Sequence, residues 1–453
     1  MHKTAQMPRR YRIEGRDVAE LVLVTALREL GAQRISGEAR IGERRVFAKI
    51  FAGADSARAE REAAAARAAL LAGIPTAKAL ETVALTDVEP PKSRYAAALF
   101  EWIADGEPLD RALQAAAPDR RELLIARTAD LLARIHAAGF VHDDPHPANF
   151  LVVGDSIVCV DAPALVKAPL ILPAARRRRG WFALGAALPP WCDESFARAS
   201  MRHGLAGAGA ATTIVDGIME HRRELQDAFE TKMLRSSSRV ALSAGRSGNV
   251  LTLRAAGIDP RTLDLGEFIF QSEPAAEFGD DVEGTGAELL VGGRRYFGRD
   301  FAMVRTLFGK RFWPVRAAAA FGRGLWLAAR GAPCLRPVAM LEASGREIHG
   351  AVVLYDPIGG VLLETALLEG DEPERFAVAD ALQDAARQWA MFGLGVPYAL
   401  RAARYVDGRV VLVAAEATVA AFGPDRRKQA LAWTIGGTAA LLHPDDPIRT
   451  RFA

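Results

Sequence analysis

Cysteine is nearly absent. Cys159, Cys192 and Cys334 are the only three in 453 residues, and none lies at metal-ligand spacing from another. That excludes a disulfide framework and a cysteine-based zinc centre, and it fits a packed thiol in a reducing compartment, with Cys159 on a core strand. Long hydrophobic runs are absent too. No stretch of 18 or more apolar residues suggests a membrane span, and Met1-His-Lys-Thr-Ala-Gln6 has no apolar signal-peptide core. Excess charge is missing as well. The net charge is +3, and the basic residues are scattered rather than interleaved with aromatics, so nucleic acid is not an expected partner. What remains is a cytoplasmic globular protein. Half of its residues are apolar, and its length is too great for one core, which suits two domains.

One stretch says more than any other. Gly139-Phe-Val-His-Asp-Asp-Pro-His-Pro-Ala-Asn149 precedes two β-prone runs, 150–153 and 157–160, which flank Gly154-Asp155-Ser156 and lead to Asp161. The runs predict a hairpin. With 153 facing 157, Asn149 faces Asp161 across the ladder, and Asp144 lies on the loop just before. A carboxylate and an amide oxygen then converge, outlining a site for magnesium and a hydroxyl group. The spacing is the one in which kinases place a catalytic aspartate, a metal-binding asparagine and a metal-binding aspartate. Any one of them alone reads better as an ordinary loop or turn residue. The set carries the reading, with His142 two residues before Asp144 as a prop of the loop. The helix before that loop, about 120–137, puts Leu124, Leu131, Leu132 and Ile135 on one side and anchors it.

Upstream, Arg44-Arg-Val-Phe-Ala-Lys-Ile-Phe51 alternates like a strand and carries Lys49. Asp55-Ser56 then offers helix N-caps to an Ala-rich helix that stops before Gly73-Ile-Pro75. Glu60 and Glu62 on that helix point roughly 200° apart, so only one can pair with Lys49. Glu62 is favoured. Lys49 would then hold the α- and β-phosphates of ATP and Glu62 would hold Lys49. No Gly-x-Gly-x-x-Gly is present; Ile35–Gly42 offers two glycines, with Gly37 as the candidate turn residue. Ala162-Pro163 follows Asp161 in place of Phe-Gly, and no Ala-Pro-Glu element appears, which argues against protein substrates.

These residues, with Arg61-Glu62, Gly73-Ile-Pro-Thr76 and Arg176-Arg-Arg-Arg-Gly-Trp-Phe-Ala-Leu184, make residues of about 25–200 resemble the lipopolysaccharide kinase family. Those are bacterial kinases of Kdo and heptose in the inner core, themselves similar to protein kinases and aminoglycoside phosphotransferases. The resemblance implies an α+β, protein-kinase-like bilobal fold that uses ATP and Mg2+. Asp144 and Lys49 would be catalytic; Lys49, Glu62, His146, Asn149 and Asp161 would surround the nucleotide; Asn149 and Asp161 would hold the metal. It implies a sugar or glycolipid acceptor, with the protein peripheral to the inner membrane. His142-x-Asp144-x-His146-Pro147-x-Asn149 also resembles small-molecule phosphotransferases and quinone-linked atypical kinases, so a small-molecule kinase stays open. So does a catalytically inactive scaffold that binds a nucleotide or a partner.

The second half repeats the first with its chemistry erased. Gly292–Phe301 aligns with Gly42–Phe51, placing Arg299 at Lys49; Gly331-Ala-Pro-Cys334 echoes Gly73-Ile-Pro-Thr76, placing Ala320 at Glu62. Tyr405–Val413 repeats the hairpin, placing Ala414 at Asp161, Ala402 at Asn149 and Pro397 at Asp144. Repetition of a whole domain predicts two tandem copies of the fold. Residues 1–235 are the copy with the intact set, 236–260 a linker, and 261–453 a degenerate, pseudokinase copy acting within the chain. Arg176–Arg179 read as a solvated helix face or as a contact for phosphate-bearing sugar or lipid, since arginine forks match phosphate.

Overall fold

Alternating apolar and polar residues open the chain and fold as six antiparallel strands: β1 (Arg9–Ile13), β2 (Glu20–Leu30), β3 (Arg34–Ile41), β4 (Arg44–Ala52), β5 (Ala79–Asp87) and β6 (Arg94–Glu101). The computed structural model describes residues 9–15, 20–30, 34–53, 56–88, 93–168, 172–205, 211–237, 239–244, 249–260, 263, 287–291, 294–302, 315–344, 349–421 and 425–452. The six strands close into a barrel in the order β1-β2-β3-β4-β6-β5, because β1 pairs with both β2 and β5. Period-two alternation sends Val46, Ala48 and Ile50 of β4 into the barrel core with Leu21, Leu23, Ala97 and Leu99. Lys49 therefore lies on the opposite face, the side from which the site is built.

Helix α1 (Ser56–Leu71) connects β4 to β5. Its end is a Schellman cap: the Gly73 N–H donates to Leu70 C=O (3.0 Å) and the Ile74 N–H to Ala69 C=O (2.9 Å), with Gly73 at φ 78. After the barrel come β7 (Glu107–Pro108), α2 (Leu109–Ala115), α3 (Pro118–Ala137), β8 (Phe140–His142), β9 (Phe150–Val153), β10 (Ser156–Cys159), β11 (Leu165–Lys167), α4 (Ala174–Ala187), α5 (Asp193–Met201) and α6 (Ala211–Met233). Leu124, Ile125, Leu131, Leu132 and Ile135 give α3 its buried face. Cys159 is fully buried on β10, and burial pushes its thiol up to about 12. Among the described residues no helix is long and apolar enough to cross a membrane.

The chain divides into two compact units, Met1–His221 and Arg222–Ala453, with the division inside α6. The second unit holds β12 (Val240–Ala244), β13 (Asn249–Leu253), β14 (Ala287–Val291), β15 (Arg294–Ala302), α7 (Val315–Ala329), β16 (Pro337–Ser344) and β17 (His349–Tyr355). Then come β18 (Val361–Leu362), α8 (Leu363–Glu369), α9 (Glu372–Met391), β19 (Leu394–Gly395), α10 (Ala399–Ala402), β20 (Ala403–Val406), β21 (Arg409–Leu412), β22 (Val419–Ala420) and α11 (Arg426–Leu441). Its main sheet is open, in the order β12-β13-β16-β17-β15-β14. Residues 236–260, expected as linker, differ from that expectation. β12 and β13 pair with each other and β13 pairs with β16, because Val240, Val250 and Leu251 are buried apolar positions of the sheet.

Hydrogen bonds repeat between the units. α7 ends like α1, with Gly331 N–H to Ala328 C=O (3.2 Å) and Ala332 N–H to Leu327 C=O (3.1 Å). Pro75 C=O accepts from Cys159 N–H (2.9 Å), and Pro333 C=O from Leu412 N–H (2.9 Å). Asn149 C=O accepts from Val160 N–H (2.9 Å), and Ala402 C=O from Val413 N–H (2.8 Å).

His136, near the end of α3, is buried edge-on against Trp181, and neither ring nitrogen has a hydrogen-bond partner. Burial first, and then the Arg177 charge, lowers its pKa from 6.5 to about 4. Unfolding above pH 4 and below 6.5 therefore takes up a proton. The stability from keeping His136 neutral is complete above pH 6.5 and is lost as pH falls towards 4, up to about 3 kcal/mol. Denaturant titrations of the full chain from pH 7 to 4 should show this loss in the first unit's transition, and His136→Phe should flatten it.

Candidate functional site

The face of β4 opposite the barrel core presents Lys49 to α1. Its Nζ donates to Glu62 Oε2 at 2.6 Å and to Asp161 Oδ1 at 2.9 Å. Lys49 and Glu62 are both buried, and the Asp161 side chain is 31% exposed, so the cluster opens to solvent on the Asp161 side. The helix turn decides between the two glutamates. Glu60, two residues before Glu62, instead accepts from the Thr82 hydroxyl on β5.

The loop between β8 and β9 carries the remaining groups. Asp144 is exposed, and its backbone N–H donates to His142 Nδ1 (3.3 Å) while its carbonyl accepts from Asn149 Nδ2 (2.9 Å). The Asn149 amide nitrogen is thus spent on holding the loop, which turns its other terminus, Oδ1, towards the role of acceptor or metal ligand. The β9–β10 register differs from the expected one. Ser156 pairs with Val153 and Cys159 with Phe150, so the turn is the two residues Gly154-Asp155 and Asn149 lies opposite Val160. A two-residue turn suits the twist of a hairpin better than a three-residue one. Asp161 therefore sits one residue past Asn149's partner, at the start of a 3-10 turn over Ala162–Ala164, where it meets Lys49. His146 is exposed, and its Nδ1 accepts from Ala148 N–H (3.2 Å), capping the 3-10 turn Pro147–Asn149.

Burial pushes the Asp161 carboxyl up, but the Lys49 charge and hydrogen bond, with His142 and Arg34, outweigh it and hold the carboxyl below its usual range. His142 goes the other way. Burial lowers its pKa against the pull of Asp161, Asp144 and Asp143, so it is a neutral prop. Among the described residues there is no group of three or more His, Cys, Asp and Glu side chains able to hold a metal alone. Asn149 and an ionised Asp161 fit magnesium of the kind that takes its other ligands from phosphate and water.

Two participants escape the sequence reading. Arg34 Nη1 lies 3.8 Å from Glu62 Oε1, and its Nε is buried without a hydrogen-bond partner. The signal was the Gly42-Glu43 turn. It sets Ser36 opposite Lys49, and Arg34, two residues along, then shares that face. Gly37, the candidate turn glycine, instead lies within β3 opposite Ala26, where a Cβ would stand 2.0 Å from the Thr25 carbonyl oxygen beside a bulge in β2. The second missed residue is Glu416. In the second unit Arg299 Nη1 meets Glu416 Oε1 at 2.6 Å, with both side chains under 10% exposed (3% and 8%). Ala414 stands where Asp161 does, before the matching 3-10 turn, Ala415–Ala417.

No protein-family model matches this chain, and no curated protein matches it. Among solved structures it is similar to WaaP in complex with acyl carrier protein, at 19% identity and a TM-score of 0.32, covering 45% of this chain and 88% of that one. A likeness at this level carries no weight for function, which rests on the residues.

Removing Glu62 leaves Lys49 buried with only the half-open Asp161. Glu62→Ala should cost the first unit about 3 kcal/mol, the scale for breaking a buried pair. Glu60→Ala should cost under about 1 kcal/mol, as expected for an exposed contact. Thermal unfolding of the two variants compares them directly, and equal losses would contradict the geometry.

Proposed function

We propose that the first unit is an ATP-dependent phosphotransferase of protein-kinase-like fold acting on a hydroxyl group. The observation that carries this is Lys49 held between Glu62 (2.6 Å) and Asp161 (2.9 Å), beside a loop that exposes Asp144 and spends the Asn149 amide nitrogen on its own backbone. In this reading Lys49, oriented by Glu62, neutralises charge on the nucleotide phosphates, and Arg34 adds a second cation from β3. Asp144 accepts the acceptor's hydroxyl proton as that oxygen attacks the γ-phosphorus and ADP leaves. His142 fixes the Asp144 backbone and stays neutral. Magnesium held by Asn149 and Asp161 would supply further neutralisation of the phosphates. His146 serves as the cap of the loop more than as a phosphate contact.

The acceptor follows from the sequence resemblance: a sugar hydroxyl of lipopolysaccharide core or a related glycan, met by a cytoplasmic protein peripheral to the inner membrane. The aminoglycoside-phosphotransferase type of small-molecule acceptor competes with it. One observation favours a second reading, a nucleotide-binding scaffold without turnover: Ala162-Pro163 directly follows Asp161 and forms the 3-10 turn there.

Wild-type protein should consume ATP in a Mg2+-dependent manner, and Asp144→Asn should not. Lys49→Ala should lose on the order of 10²-fold in turnover, the usual cost of a preorganised charge at a transferring phosphate. An Asp144→Asn variant as active as wild type would refute the catalytic reading. A wild type that binds Mg-ATP by calorimetry without turning it over, against core-sugar, aminosugar and small-alcohol acceptors, would establish the scaffold.

A further inference from the structure

The run Arg176–Arg179 does not act as one unit. Arg176 lies 3.9 Å from Asp143 and ties the start of α4 to the loop before Asp144. Arg177 and Arg178 instead line a cavity of about 470 Å³ between the end of α3 and the start of α4. His136 and Trp181 line it as well, and His203, stacked on Trp181 at an interplanar angle of 13°, lines the far wall. Both guanidiniums are exposed and neither meets a carboxylate, unlike Arg176 beside them. Asp130, which bonds His203 at 2.9 Å, is shared with Arg127. No acidic side chain lines the cavity.

The second unit supplies an internal control. A cavity of the same size, about 470 Å³, lies between α9 and α11, the counterparts of α3 and α4, and it too is lined by cations: Arg387, Lys428 and Arg451. There each cation has a carboxylate. Arg387 meets Asp384 at 2.6 Å, Lys428 meets Asp425 at 3.6 Å and Arg451 meets Asp380 at 3.6 Å. Two cavities in matching places thus differ in their walls, which carry Trp181, His136 and His203 only in the first, and in whether their cations meet carboxylates.

We infer that the α3–α4 cavity is a second ligand site, separate from the Lys49 cluster, which takes a phosphate group, monoester or diester, between Arg177 and Arg178. Planar guanidinium forks match the oxygens of phosphate better than a point charge does, and Arg177 and Arg178 both line the same cavity. The volume suits a phosphate with a sugar-sized substituent, and the indole and imidazole walls suit its less polar face. The site stands on its own residues and does not depend on turnover at Asp144.

The test uses the full chain carrying Lys49→Ala, so that phosphate binding at the nucleotide cluster is suppressed. Inorganic phosphate and glucose 1-phosphate are titrated by calorimetry at constant ionic strength, and sedimentation with phosphatidylglycerol vesicles is compared with phosphatidylcholine vesicles. Saturable binding is expected in one arm or the other, which tells a soluble phosphate from a lipid headgroup. Arg177→Ala and Arg178→Ala should each weaken it roughly tenfold, the scale of one charge-assisted hydrogen bond. Arg387→Ala should leave it unchanged. Absence of binding in both arms, or binding indifferent to Arg177 and Arg178, overturns the site. Because Lys49 is already removed, neither result bears on the phosphotransfer reading.

Discussion

A lysine taken out of water has to find negative charge, and the first unit is arranged around that requirement. Lys49 leaves the barrel on the face opposite Val46, Ala48 and Ile50, so it cannot reach solvent by turning back. Its two carboxylates come from two other places, Glu62 from α1 and Asp161 from the end of the β9–β10 hairpin, 112 residues away in sequence. One buried cation thereby fixes barrel, helix and hairpin against one another. The arrangement is demanding because the loss of either partner leaves a charge in a medium that hardly solvates it. It is also useful, since a cation held by two carboxylates, one of them partly exposed, can exchange part of its pairing for phosphate oxygens.

The second unit shows what happens when that requirement is met without an opening. Arg299 occupies the Lys49 position on β15, opposite Val353, as Lys49 on β4 is opposite Ala98. Its partner is Glu416, two residues beyond the Asp161 counterpart, and both are almost fully buried. Burial opposes the Arg299 charge, but Glu416 and Tyr355 outweigh it and keep the guanidinium protonated. The place of Glu62 is taken by Ala320, fully buried in α7. The pair is closed on itself, so the position retains a structural cation and no exposed carboxylate beside it.

How much of this the amino-acid sequence discloses depends on how local the cause is. The hairpin around residue 154, the stop at Gly73 and the buried face of α3 follow from turn residues and periodicity within a few positions, and they are legible. The β9–β10 register is less so, because a two- or three-residue turn is compatible with Gly154-Asp155-Ser156 and the choice moves every cross-strand partner by one. Gly37 looked like a turn glycine because glycine usually marks turns. Its cause is a carbonyl of the neighbouring strand, which no local pattern shows. The linker expectation for 236–260 rested on serine and glycine content, which does not show that Val240, Val250 and Leu251 on either side pair into a sheet. Arg34 and Glu416 were hidden for a related reason. Charged residues are common in this chain, and only tertiary pairing tells which one faces a lysine or an arginine.

The two units also separate what folds the chain from what gives it chemistry. Backbone hydrogen bonds repeat at the Schellman caps, at Pro75 and Pro333, and at Asn149 and Ala402, although the side chains at those last two positions have nothing in common. These bonds depend on glycine, proline and alternation, and they recur where the side chains differ. The differences run in one direction at two separate places. At the Lys49 position a partly open cluster becomes the closed pair Arg299–Glu416, and at the helix cavity two unpaired arginines become three cations each with its own aspartate. At both places the cations of the second unit are paired within it, with the backbone frame retained, while in the first unit Lys49 sits beside a partly exposed carboxylate and Arg177 and Arg178 meet none.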